Sequence, residues 1–264
     1  LLGLELTINP FSAHPAYARI ANLPFTERLA AMRTPEMRSA LLAEHPSSQN
    51  PFVKAVLRNF AKMFPLNDPP DYEPTPDKSL GAQAARRGMT PEEMAYEWTI
   101  AEDGKQLILF PFLNYAANSL DPAMEMMRHE GTVLGLGDGG AHVGMICDGS
   151  FPTSMLTHWT RDRTRGSKLP LEWVVRAQSR VTAEAVGLID RGLIQVGMKA
   201  DANAIDYDRL TLQRPGVAYD LPAGGKRLVQ KAKGYTATIV SGQIVARGGE
   251  ATGELPGRLV RGAR

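Results

Sequence analysis

Apolar residues recur along this chain in two rhythms. Between residues 15 and 187 they fall mostly three and four apart, the period of a helix that buries one face. Leu29 and Met32 mark such a face in Pro24–Arg33, and Met37, Leu41 and Leu42 mark one in Pro35–His45. Val53, Val56, Leu57, Phe60 and Phe64 mark a third in Phe52–Phe64, where Lys54, Arg58 and Lys62 read as a solvated face. Local chemistry sets the helix starts. Thr34-Pro35 supplies a cap and then a proline at the first helical position. Thr90-Pro91-Glu92-Glu93 is a capping box, predicting a helix that packs Met94, Trp98 and Ile100 inward and stops at Asp103-Gly104. Ser79–Arg87, Asp121–His129, Phe151–Thr160 and residues 170–187 complete the helical set, the last with Trp173, Val174, Ala177 and Val181 inward.

Three segments read as strands of a barrel-like sheet: Leu2–Ile8, Gln106–Phe110 and the apolar run 132–136. The last has the length and the missing polar face of a strand covered on both sides, as in a parallel sheet. After Gly192 the rhythm shortens to strands at Gly192–Val196 and Ala202–Tyr207. A hairpin follows, joining Tyr235–Val240 to Gln243–Arg247 across Ser241-Gly242. The fold class is therefore α/β. Residues 65–78, PLNDPPDYEPTPDK, read as a long loop able to act as a lid. Its Asp68, Asp71, Tyr72 and Glu73 match no calcium-loop spacing and are expected at the surface.

Composition narrows the function classes. The 264 residues suffice for one large domain or two smaller ones. A net charge of +2 gives no basic field for nucleic acid or an anionic membrane. The single cysteine excludes an internal disulfide framework and points to a reduced, cytoplasmic setting. No apolar run has the length of a membrane span, and the first residues lack the basic region of a signal peptide. The chain opens without Met inside an expected strand, as a piece of a longer protein would.

The stretch with most chemical content is Gly131–His142, GTVLGLGDGGAH. An Asp at the C-terminal lip of a buried strand, followed by two glycines, is where an α/β barrel places chemistry: Asp138 can bind a metal or act as general base. Asp-Gly is equally a turn signal, in which Asp138 bonds only its own backbone. His142 and Cys147 make no standard metal spacing with it. Asn114 and Tyr115 follow the second apolar run and suit a substrate carbonyl or carboxylate, or cap the next helix. His14 reads as a loop or cap residue, and His129 as a cation at a helix C-terminus. Arg161, Arg163 and Arg165 are either a carboxylate attractor or solvated loop residues.

The block LGLGDGGAHVGMICDGSFPTSMLTHW resembles the last barrel strand and following loop of N-acyl-D-amino-acid deacylases (D-aminoacylases) of the amidohydrolase superfamily. The blocks GMKADANAIDYDRL and DLPAGGKRLVQKAKGYTATIVSGQIVARGGEATGELPGRLVR resemble that family's closing segment. The resemblance implies the C-terminal part of a (β/α)8 metal-dependent hydrolase barrel over 1–190, then strands of a small β-sandwich over 191–264. It implies hydrolysis of a linear amide, with a small-molecule N-acyl amino acid as substrate, and zinc (Zn2+) as cofactor. Asp138 would be the general acid/base and a contact to the metal, Gly139 and Gly140 the open rim, and His142 a hydrogen-bonding support. No nucleic acid or membrane partner is implied, and a homo-oligomer is compatible. The family's His-x-His pair is absent: the five histidines are His14, His45, His129, His142 and His158. The remaining metal ligands are thus expected upstream of Leu1, and this chain alone is expected to be incomplete and inactive. A cyclic-amide hydrolase and a non-catalytic assembly subunit are the alternatives.

Overall fold

The computed structural model of the chain describes residues 2–48, 50–135, 137 and 142–261, and within them helices begin where side chains close their first turns. Thr34 Oγ1 accepts the Met37 amide at 3.2 Å, and Ser79 Oγ accepts that of Ala82 at 3.2 Å. The capping box forms in full: Thr90 Oγ1 accepts from Glu93 N at 3.2 Å, and Glu93 Oε2 accepts from Thr90 N at 2.8 Å. The helix it opens, Pro91–Gly104, leaves helical geometry at Ala101, and Glu102 and Asp103 are left-handed.

Contacts divide the chain into two compact units that interleave in sequence. One comprises Leu1–Ser119, Gly140–Cys147 and Pro215–Val229; the other comprises Leu120–Gly139, Asp148–Arg214 and Gln230–Arg264.

In the first unit, the strand Ile108–Phe110 lies between Leu2–Leu4 and Phe64–Pro65. Ile108 and Phe110 join the helical core with Leu4, Leu6, Phe11, Met32, Leu80 and Met94. Leu107 and Leu109 face a second cluster with Phe64, Leu66 and Leu228. The apolar run thus has no polar face because both of its sides are covered. Its direction differs from expectation: both pairings are antiparallel, Leu2 opposite Phe110 and Phe64 opposite Leu109. Two-sided burial fixes composition, whereas direction depends on how the chain returns to the sheet, and composition does not record that. A second hairpin, Gly216–Leu221 with Gly225–Val229, belongs to this unit. Glu73, expected at the surface, is buried; Asp71 accepts its amide at 3.0 Å and pairs with Lys78 at 2.8 Å.

In the second unit, Met124, Met155, Trp159, Leu169 and Val174 form the core. Both long helices contain a π-helical turn, at His158–Asp162 and at Ala177–Val181. Arg163 is fully buried: it stacks 4.9 Å from the Trp159 ring centre, pairs with Asp121 at 2.7 Å, and donates to Ser167 O at 2.9 Å. Arg161 lies over Tyr207 and donates to Leu210 O at 2.7 Å. Neither is a freely solvated loop cation, because each donates to a backbone carbonyl, Arg161 to that of Leu210 and Arg163 to that of Ser167.

The predicted hairpin forms, Gln243 opposite Val240, with Ser241 and Gly242 both left-handed. Two positive φ angles in a two-residue connection match the twist of the flanking strands. Its sheet runs Glu250–Ala251, Gln243–Arg247, Tyr235–Val240, Ala202–Ile205, all antiparallel. Two expected strands do not form among the described residues. Residues 132–135 join no ladder, and Val133 is exposed. Residues 192–196 lie in bends and a turn, with Ile194 and Val196 exposed. Both runs sit between glycines, Gly131 and Gly135 in one case, Gly192 and Gly197 in the other. Glycines favour turns, and apolar character alone does not supply a pairing partner.

Candidate active site

Asp138, Gly139 and Gly140, on which the sequence reading centres, lie outside the described residues. The chain on either side of them is held closely. Gly137 approaches the Asp148 carbonyl so tightly that a Cβ at this position would lie 2.6 Å from its oxygen and 3.0 Å from the Phe151 ring. Only glycine fits there. On the other side, His142 is left-handed, and its carbonyl accepts the Met145 and Ile146 amides at 2.8 and 3.0 Å. Two further backbone bonds fix this turn, Leu228 N to Val143 O and Gly3 N to Met145 O, each 2.7 Å. The His142 residue is exposed.

Asn114 and Tyr115 occupy the loop after Ile108–Phe110, in the same unit as His142. Asn114 is exposed and left-handed, a conformation asparagine tolerates. Tyr115 is buried, and its hydroxyl donates to Pro74 O at 2.6 Å. The loop turns around Lys62, whose ammonium donates to Tyr115 O at 2.7 Å, Ala116 O at 3.1 Å and Asn118 Oδ1, and stands 5.5 Å from the Tyr115 ring centre. Burial pulls the Lys62 pKa below the ordinary lysine value. The sequence places Lys62 on a solvated face between Phe60 and Phe64, and that position gives no signal that its head group will be captured by carbonyls.

The other histidines are spread through the chain. His14 is buried, its Nδ1 3.2 Å from Phe11 O, and burial lowers its pKa. His45 Nδ1 stands 3.4 Å from an Arg58 nitrogen, His129 Nδ1 accepts the Gly131 amide at 3.1 Å, and His158 packs edge-on to Trp159. Cys147 is half-buried against the Phe64–Leu228 cluster.

A family model described as "Amidohydrolase family" matches residues 1–246. The chain belongs to the amidohydrolase family. No curated protein and no solved structure matches it. Membership supports a metal-dependent hydrolase in general. Among the described residues, which do not include Asp138, no three His, Cys, Asp or Glu side chains come together to hold a metal. Among the described residues no helix is long and apolar enough to cross a membrane.

Proposed function

We propose that this amidohydrolase is the C-terminal portion of an enzyme that cleaves linear amides of N-acyl-D-amino acids, with Asp138 as general acid/base. The family match over residues 1–246, taken with the block LGLGDGGAHVGMICDGSFPTSMLTHW, carries the reading. Its barrel part would run to residue 190, and the strands after 191 would belong to a flanking β-sandwich. Asp138 takes a proton from the attacking water and delivers it to the leaving amine. A carboxylate suits both halves, since it is a base at neutral pH and its conjugate acid readily gives the proton up. The two glycines after it leave room for a substrate backbone. Asn114, exposed on its loop, offers an amide to the substrate carboxylate or carbonyl, and His142 would supply a supporting hydrogen bond. Zinc is the metal of this reading, and a cytoplasmic setting goes with it.

The test is a substrate panel, run on the protein as isolated from its source. N-acetyl-D-amino acids should be hydrolysed, their L-isomers much more slowly, and hydantoin and dihydroorotate hardly at all. Faster opening of the cyclic amides would move the assignment to a cyclic-amide hydrolase. Inertness toward every amide, in a sample with stoichiometric zinc, would overturn the proposal.

A further inference from the structure

The first unit encloses a cavity of about 170 Å³ whose walls all come from residues 10–92, none of them in the Gly131–His142 stretch. The loop after the first strand, the end of the helix Pro35–Ala43, the segment 57–60 and the start of Pro91–Gly104 surround it. Phe11, Leu42, Leu57 and Phe60 supply apolar surface. A cavity of about 150 Å³ holds a benzene ring, so the space takes a body of that size.

The polar side chains in the lining leave acceptors open. His14 is only 5% exposed. Its Nδ1 lies 3.2 Å from Phe11 O, and a carbonyl only accepts, so Nδ1 carries the ring proton. Nε2 then holds a lone pair, and nothing among the described residues donates to it. Burial lowers the His14 pKa and keeps the ring neutral at neutral pH, against Glu44 and alongside Arg58 and His45. The Phe11 ring, 5.3 Å away between centres, fixes the imidazole in place. Glu44 Oε2 accepts the Ala16 amide at 2.7 Å, whereas its Oε1 stands 4.0 Å from Arg19, beyond hydrogen-bonding distance. The guanidinium in the lining is already engaged: Arg58 donates to Glu92 at 2.9 Å and stands 3.4 Å from His45 Nδ1. Glu44 and Glu92 against Arg58 give the lining a net charge of −1 while the histidines are neutral.

We infer that this cavity binds a small primary ammonium ion with an apolar body about the size of a benzene ring, its N–H groups donating to His14 Nε2 and Glu44 Oε1. An anion would meet both carboxylates. A bare metal ion would leave the apolar walls unfilled, and among the described residues no three His, Cys, Asp or Glu side chains come together to ligate it. An ammonium group on an apolar stem answers both halves of the lining.

Calorimetric titration of the native protein at neutral pH with benzylammonium, benzyl alcohol and benzoate tests this. Benzylammonium should bind once per chain. The alcohol, of the same shape but uncharged, should bind at least about tenfold more weakly, and benzoate should not bind. Glu44→Gln removes the charge and should weaken benzylammonium at least about tenfold, and Leu42→Trp should abolish its binding by filling the cavity. Unfolding midpoints report whether each variant is folded. As pH falls and His14 gains a proton, Nε2 becomes a donor, so affinity should drop, and His14→Gln should remove that drop. Absence of saturable binding to the unaltered protein overturns the inference. So does equal affinity for the alcohol, tighter binding of benzoate, or benzylammonium binding that the folded Glu44→Gln variant leaves unchanged.

Discussion

The two units differ in how completely they bury their apolar residues. In the first, Phe11, Met32, Leu80 and Met94 are fully enclosed by caps, helices and a sheet covered on both faces. In the second, Val175, Leu193 and Ile194 line an open groove, and Val186, Ile189, Val196, Leu255 and Leu259 are exposed. A surface patch of that kind normally marks an interaction site. The contrast teaches that one sequence can contain a closed core and an unfinished one. The unfinished one is where partners are to be sought.

Substitutions can break or sharpen this contrast. Leu80→Ala in the closed core should cost about 2–5 kcal/mol in denaturant unfolding, because a fully buried leucine leaves both lost contacts and a cavity. A loss under about 1 kcal/mol would mean that the core is looser than its burial implies. Thr90→Ala should cost about 1 kcal/mol by removing one side of the capping box. Ile194→Ser in the second unit should change stability by less than about 0.5 kcal/mol, since its side chain is 98% exposed. A cost near that of Leu80→Ala would show that Ile194 is covered in solution.

Acid should act on the closed unit first. Burial, opposed by the Phe11 carbonyl and by Glu44 and reinforced by Arg58 and His45, holds His14 below its ordinary pKa. The folded state therefore prefers neutral His14. Its contribution is fully present above the unfolded value, about 6.5, and is lost as pH falls through the lower folded value. Unfolding midpoints followed from neutral to mildly acid pH should fall, and His14→Gln should flatten that slope. An unchanged slope in the variant would assign the acid sensitivity elsewhere.

Much of the helical architecture was legible because its signals are local. Thr34, Ser79 and Thr90 mark helix starts within three residues of the amides they satisfy. Ser241-Gly242 specifies a hairpin in two. What escaped depends on distant chain. The antiparallel direction of Leu2–Leu4 against Ile108–Phe110 is settled over about a hundred residues of connection. The hairpin Gly216–Val229 did leave a trace: Pro222-Ala223-Gly224-Gly225 is a turn flanked by alternating Val217, Tyr219 and Leu221. Of the site, the sequence marks Asp138 and its glycines. The capture of the Asn114–Asn118 loop by Lys62 lay beyond it, because three carbonyl-type acceptors converge only after the chain folds.

The central functional claim rests on Asp138, and the most direct measurement is the turnover of an N-acetyl-D-amino acid by the native protein and by its Asp138→Asn variant. Asparagine keeps the shape and removes the base, so kcat should fall about 10²–10⁴-fold with the fold retained. Near-normal kcat in a folded variant would contradict it and leave Asp138 as a turn residue.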